Sequence, residues 1–168
     1  MDRIAASILV LVAVGSSAHA DDGHVLLAGL TTSRVWHETA PDGFTLGAEV
    51  SAVWLDAKGP KESRKYFPEL DGMVWYGAYA DLLRDFGADT TRLSIGPEAG
   101  YTVVGADGGL LVEFGDTTRT GFVIRPVLTA GVVTLFYRYG HYFDDKPDNR
   151  FHEAGLLLKW GLPFYKKL

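Results

Sequence analysis

FTLGAEVSAVWL, residues 44–55, is the stretch that decides the fold. Side chains on a strand alternate between faces. The run therefore splits into Phe44, Leu46, Ala48, Val50, Ala52 and Trp54 on one side and Thr45, Gly47, Glu49 and Ser51 on the other. One face is wholly apolar and the other holds small residues around a single acid. The pattern returns in LSIGPEAGYTVV (93–104), GFVIRPVLT (121–129) and AGLLLKWGLPF (154–164), where the lone charges are Glu98, Arg125 and Lys159. An Arg or Lys turned toward hydrocarbon at mid-depth costs about 2–4 kcal/mol, so charges isolated among apolar residues point inward in a barrel whose outer face is the apolar one.

Eight runs carry this character: His24–Trp36, Phe44–Leu55, Met73–Leu83, Arg92–Val103, Gly108–Phe114, Thr120–Leu128, Gly131–Tyr142 and Phe151–Phe164. Most match the roughly 9–11 residues of a tilted membrane-spanning strand and exceed the 5 or 6 usual in soluble sheets. Between them lie HETAPDG, DFGADTT, GADGG, GDTTRTG and DDKPDNR, rich in turn-forming Gly, Asp, Pro and Thr. GADGG, residues 105–109, reads as a hairpin turn. Thr129 to Gly131 carries almost no polar turn signal, yet Arg125 and Arg138 lie at opposite parity, so a tight turn is expected there. The segment Asp81-Leu-Leu-Arg-Asp-Phe86 puts a helix-like pattern at the end of the third strand. The long connection 56–72 falls where a short turn is expected, and it reads as a loop, a surface helix or a plug.

The first twenty residues, MDRIAASILVLVAVGSSAHA, place Arg3 before an apolar run from Ile4 to Val14 and end in Ala18-His19-Ala20. They read as a secretory signal peptide, leaving 21–168 as one domain. The apolar run falls short of the roughly 20 residues of a spanning helix, so membrane insertion would use strands. There is no cysteine, which excludes disulfides and thiolate metal sites. The net charge of -5 is scattered rather than blocked, which argues against a nucleic-acid surface.

Collected by parity, the expected interior charges are Arg34, Glu49, Asp81, Arg92, Glu98, Glu113, Arg125, Arg138, Glu153 and Lys159, five acids against five bases. An eight-stranded barrel has an interior just wide enough for side chains. These groups are therefore expected to pair across the lumen as packing rather than line a channel. The aromatics Trp36, Trp54, Trp75, Tyr76, Tyr101, Tyr139, Tyr142, Trp160, Phe164 and Tyr165 fall near strand ends, where interfacial girdles would place them.

With these features the chain resembles the small eight-stranded outer-membrane β-barrels of Gram-negative bacteria. The likeness is architectural and covers the whole of 21–168. In the last strand, alternating Leu156, Leu158, Trp160, Leu162 and Phe164 are similar to the signal that the barrel-assembly machinery reads, here followed by Tyr-Lys-Lys-Leu. The resemblance implies an all-β, antiparallel up-and-down transmembrane barrel in the outer membrane. It would contact outer-membrane lipid and the assembly machinery, and would serve a structural, adhesive or envelope-integrity role without a cofactor.

Two other readings stay open. A soluble secreted or periplasmic lipocalin-like barrel would bind an apolar ligand, with its apolar face inward. A lipid-modifying outer-membrane enzyme would use His141 or His152, which flank the last loop beside Glu153, but a nucleophile within reach of a base is not identifiable: no G-x-S-x-G occurs and Ser33, Ser51 and Ser94 lie in separate strands. The acidic loop Asp144-Asp145-Lys-Pro-Asp148-Asn149 lacks calcium-loop spacing and reads as a solvated turn.

Overall fold

A computed structural model describes residues 23–56, 73–145 and 147–161. Eight antiparallel strands make one closed barrel: β1 (Gly23–His37), β2 (Gly43–Asp56), β3 (Val74–Asp85), β4 (Thr90–Tyr101), β5 (Val104–Phe114), β6 (Arg119–Ala130), β7 (Val133–Tyr142) and β8 (Arg150–Gly161). Each strand pairs with its sequence neighbours, and β8 closes on β1 from Leu27↔Gly161 to His37↔Phe151. Closure leaves no strand edge unpaired. Pairing is interrupted only beside the outward prolines Pro97 and Pro126, which have no N–H to give.

The connections 38–42, 86–89, 115–118 and 143–149 lie at one end, called the hairpin end below. At the opposite end β4 and β5 are joined by Thr102-Val103, and β6 and β7 by Gly131-Val132. The tight turn expected near Gly131 is present: Ala130 pairs with Val133, and Gly131 takes a φ of 61°, a left-handed conformation that glycine adopts without strain. The turn lets Arg125 and Arg138 both face inward.

Some expected boundaries are corrected. GADGG is not a turn but part of β5, and the β4–β5 turn lies at Thr102-Val103. The stretch from Asp81 stays extended through Asp85, because Phe86 donates its backbone N–H to Phe44 O and its ring stacks on Phe44 at 4.7 Å. The ambiguous connection 57–72, residues 1–20 expected as a signal peptide, and the terminal residues Leu162, Phe164 and Tyr165 lie outside the described residues.

Burial is inverted relative to a soluble protein. Leu110, Ile95 and Phe44 are 64%, 57% and 53% exposed, while Arg92, Arg125, Arg138 and Glu153 are fully buried. The parity assigned to β2, β4 and β8 holds wherever the strands are described. Toward the hairpin end the interior also has an apolar cluster of Val35, Leu111, Val123, Tyr142 and Phe151. Inward aromatics are admitted by inward glycines: a Cβ at Gly140 would collide with the Phe151 ring, and one at Gly100 with the Trp75 indole.

Candidate functional site

The interior holds a connected series of alternating charges that runs along the barrel. It begins at Glu98 on β4, which accepts from Lys159 Nζ of β8 at 3.1 Å. Lys159 also meets Glu49 of β2 at 2.6 Å and the Ser51 hydroxyl at 3.0 Å. Glu49 takes the Arg125 Nη2 of β6 at 2.6 Å. Arg125 also donates from Nε to Asp107 of β5 at 2.7 Å and lies 3.7 Å from Asp81 of β3.

Asp81 joins this half to the next. It pairs with Arg138 of β7 and accepts from the Ser94 hydroxyl at 2.6 Å. On the register that pairs Ile124 with Tyr139 and Val127 with Phe136, Arg125 and Arg138 are cross-strand neighbours, and the Asp81 carboxylate lies against both.

Arg138 reaches Glu153 of β8 at 3.7 Å, and Glu153 meets Arg92 of β4 at 3.2 Å while accepting from the Ser33 and Thr45 hydroxyls. Arg92 continues to Asp85 of β3 at 3.5 Å with its guanidinium 4.2 Å above the Phe151 ring. Asp85 ends the series at His37 Nε2, 2.9 Å away, and caps the 86–89 hairpin by accepting from the Gly87 and Ala88 N–H groups.

A second cluster lies at the hairpin end, beside a concavity of about 310 Å³ lined by Thr90, Glu113, Arg119 and Asp148. Arg119 donates to both carboxylate oxygens of Asp144, at 2.7 and 3.0 Å, and to the Asp148 carbonyl. Its guanidinium lies 3.8 Å over the Tyr142 ring, and the Tyr142 hydroxyl and Thr90 donate to Glu113. The Asp148 carboxylate accepts from the backbone N–H groups of Glu38 and Thr39, so the last hairpin holds the first.

Nine of the ten expected interior charges face inward: Glu49, Asp81, Arg92, Glu98, Glu113, Arg125, Arg138, Glu153 and Lys159. Arg34 does not. Its side chain is 57% exposed on the outer face, 3.9 Å from Asp42. Three residues from the strand end, it reaches water beside its own hairpin, so nothing drives it inward, and Ser33 takes the interior slot against Glu153. Asp85, Asp107, Arg119 and His37 were not among the expected set. The first two obey the same parity as Asp81 and Glu113, but strand ends drawn too short left them out.

Acids therefore outnumber bases inside the barrel. The balanced tally of the sequence is corrected to seven carboxylates (Glu49, Asp81, Asp85, Glu98, Asp107, Glu113, Glu153) against Arg92, Arg125, Arg138, Lys159 and the rim Arg119.

Trp75 and Tyr142 turn inward rather than join a girdle, whereas Trp36, Trp54, Tyr76 and Tyr101 are exposed on the outer face. His152 is also on the outer face, its Nδ1 against the Tyr137 hydroxyl, while Glu153 beside it points inward. His141 pairs with Arg150 and His152 with Tyr139, two residues along on the same outer face, so the inward Glu153 is cut off from both histidines by the strand itself.

The chemistry of the interior is that of a plug. Each inward guanidinium among the described residues faces at least one carboxylate, and arginine does not release its proton in proteins. Together these features define the class: an eight-stranded antiparallel closed barrel, apolar outside and ion-paired within. Comparison with protein families, characterised proteins and solved structures finds no match to this chain.

Proposed function

We propose that the protein is an outer-membrane β-barrel, filled by its own ion-paired side chains, with a structural, adhesive or envelope-integrity role carried by its hairpin-end loops. The observation that carries this is the inversion of burial, with Leu, Ile and Phe outside and Arg, Asp and Glu inside. A soluble lipocalin-like barrel calls for the opposite arrangement of faces.

The dimensions support the same reading. Phe44 and Trp54 bound the outer face of β2 ten positions apart, about 34 Å along the strand at roughly 3.4 Å per residue. A strand tilt of about 40° reduces this to about 26 Å, close to the apolar band of about 25 Å on outer-membrane barrels. The leader supplies export, and the last strand would present its alternating apolar face to the barrel-assembly machinery.

The test is refolding of the urea-unfolded 21–168 chain into phosphatidylcholine vesicles. Co-flotation with the vesicles and faster migration on unheated gels are expected. A chain that folds as a soluble monomer in buffer without amphiphile overturns the proposal.

A further inference from the structure

The described outward side chains carry formal charge at one level only. Among described strand side chains pointing outward, the charged ones are Arg34, Arg84 and Arg150, and the described strand carboxylates Glu49, Asp81, Asp85, Glu98, Asp107, Glu113 and Glu153 point inward. All three arginines sit within three residues of the hairpin end of their strands. Each reaches a carboxylate of an adjoining hairpin: Arg34 to Asp42 at 3.9 Å, Arg150 to Glu38 at 2.7 Å, and Arg84 to Asp89, with the Thr91 hydroxyl 3.3 Å away.

These pairs are solvent-exposed, with arginine side chains 57%, 51% and 42% accessible. Exposed pairs contribute little and exchange readily. A guanidinium has five N–H donors, so each arginine keeps donors for a further anion. Directly below Arg84, the outer face opens into an apolar groove of about 260 Å³ where Ala48 and Ala80 lie low between Val50, Leu82 and Leu93. Leu82 is the next outward residue from Arg84 on β3. A cation at the rim with a trough of small and branched apolar side chains beneath it matches an amphiphile with an anionic head and a hydrocarbon tail.

We infer that this arginine collar binds the phosphate-bearing headgroup of an anionic membrane lipid, with the acyl chain in the groove under Arg84. The inference rests on the membrane reading above. Planar, multidentate guanidinium recognition suits a phosphate, and the outward Ala48, Val50, Ala80, Leu82 and Leu93 leave the tail an apolar path.

The experiment is native mass spectrometry of the barrel released from phosphatidylcholine vesicles doped with phosphatidylglycerol. Wild type is expected to retain phosphatidylglycerol over the choline lipid. Combined R34Q, R84Q and R150Q should lower that retention about tenfold. Ala48→Leu with Ala80→Leu, which fills the groove and leaves every charge in place, should also weaken it. Both variants must keep the heat-modifiable gel shift that reports an intact barrel.

Retention unchanged in both variants overturns the inference while leaving the membrane reading standing. Displacement of the lipid by inorganic phosphate alone would reassign the collar to soluble anions and overturn the lipid tail. Failure of wild type to enter the vesicles at all would overturn the membrane reading itself.

Discussion

Arg125→Gln is the sharpest perturbation of the interior, because this one cation faces three carboxylates. Their losses differ. Glu49 keeps Lys159 at 2.6 Å and Asp81 keeps Arg138. Asp107 loses the Nε donor at 2.7 Å, and its Oδ1 has no hydrogen-bond partner among the described residues. One carboxylate rather than three is thus stranded in a buried site, for which about 3–5 kcal/mol of destabilisation is expected. Three stranded carboxylates, at about 9–15 kcal/mol, would match the whole stability of an ordinary domain, about 5–15 kcal/mol. Asp107→Asn in the Arg125→Gln background removes the stranded charge, so the two changes should be non-additive with a coupling of about 1–3 kcal/mol. Urea titration of the refolded barrel, read by the gel-mobility shift between folded and unfolded bands, measures each corner of the cycle. A loss below about 1 kcal/mol for Arg125→Gln, or strict additivity with Asp107→Asn, would refute the pairing.

The same titration serves further variants. Lys159→Met takes the cation from Glu98 while Glu49 retains Arg125; a loss of about 1.5–3 kcal/mol is expected. Arg34→Gln should fall within about 0.5 kcal/mol of wild type and Arg138→Gln should cost about 3–5 kcal/mol, and equal losses would reverse the assignment of their faces. Gly140→Ala drives a methyl into the Phe151 ring, at about 1–3 kcal/mol, and Phe151→Leu should recover part of it. Asp148→Ala frees the Glu38 and Thr39 amides, a loss of about 1 kcal/mol that should appear as faster protease cleavage within 143–149 with the barrel band retained.

The architecture was legible because alternation at period two runs the full length of most strands. Glu49, Glu98, Arg125 and Lys159 betray the interior by being the only charges among apolar neighbours. Legibility faded at strand ends, where propensity and turn chemistry compete: Asp107 sits in GADGG, a turn by composition, and only its ladder from Val104↔Leu128 to Glu113↔Arg119 makes it strand. Arg34 misled for the opposite reason. Near a hairpin water is within reach of either face, so the penalty that makes parity informative in mid-strand is missing. The identity of each ion pair was beyond sequence, since Glu98 and Lys159 meet through closure of the barrel and not through strand adjacency.

That long-range pairing bears on why so many charges are kept inside when replacing a buried pair by apolar side chains is often neutral or stabilising. In a barrel whose outer face is mainly apolar, hydrophobic contacts between strands distinguish one register from another poorly. A slip of one residue exchanges the two faces of a strand. Every strand here carries an inward titratable group: His37 on β1, Glu49 on β2, Asp81 on β3, Arg92 on β4, Asp107 on β5, Arg125 on β6, Arg138 on β7 and Glu153 on β8. In the proposed membrane setting, a slip would turn that group outward and strand its partner inside, at about 2–4 kcal/mol for a mid-depth Arg or Lys facing hydrocarbon and about 3–5 kcal/mol for the broken buried pair. The series from Glu98 to His37 thus acts against misregistered barrels more than for the native one. On that account, replacing Arg138, Asp81 and Glu153 together by apolar residues of similar volume should leave stability nearly unchanged. Refolding should then yield several compact bands on unheated gels in place of one; a single native-like band would argue that register is set by the turns alone.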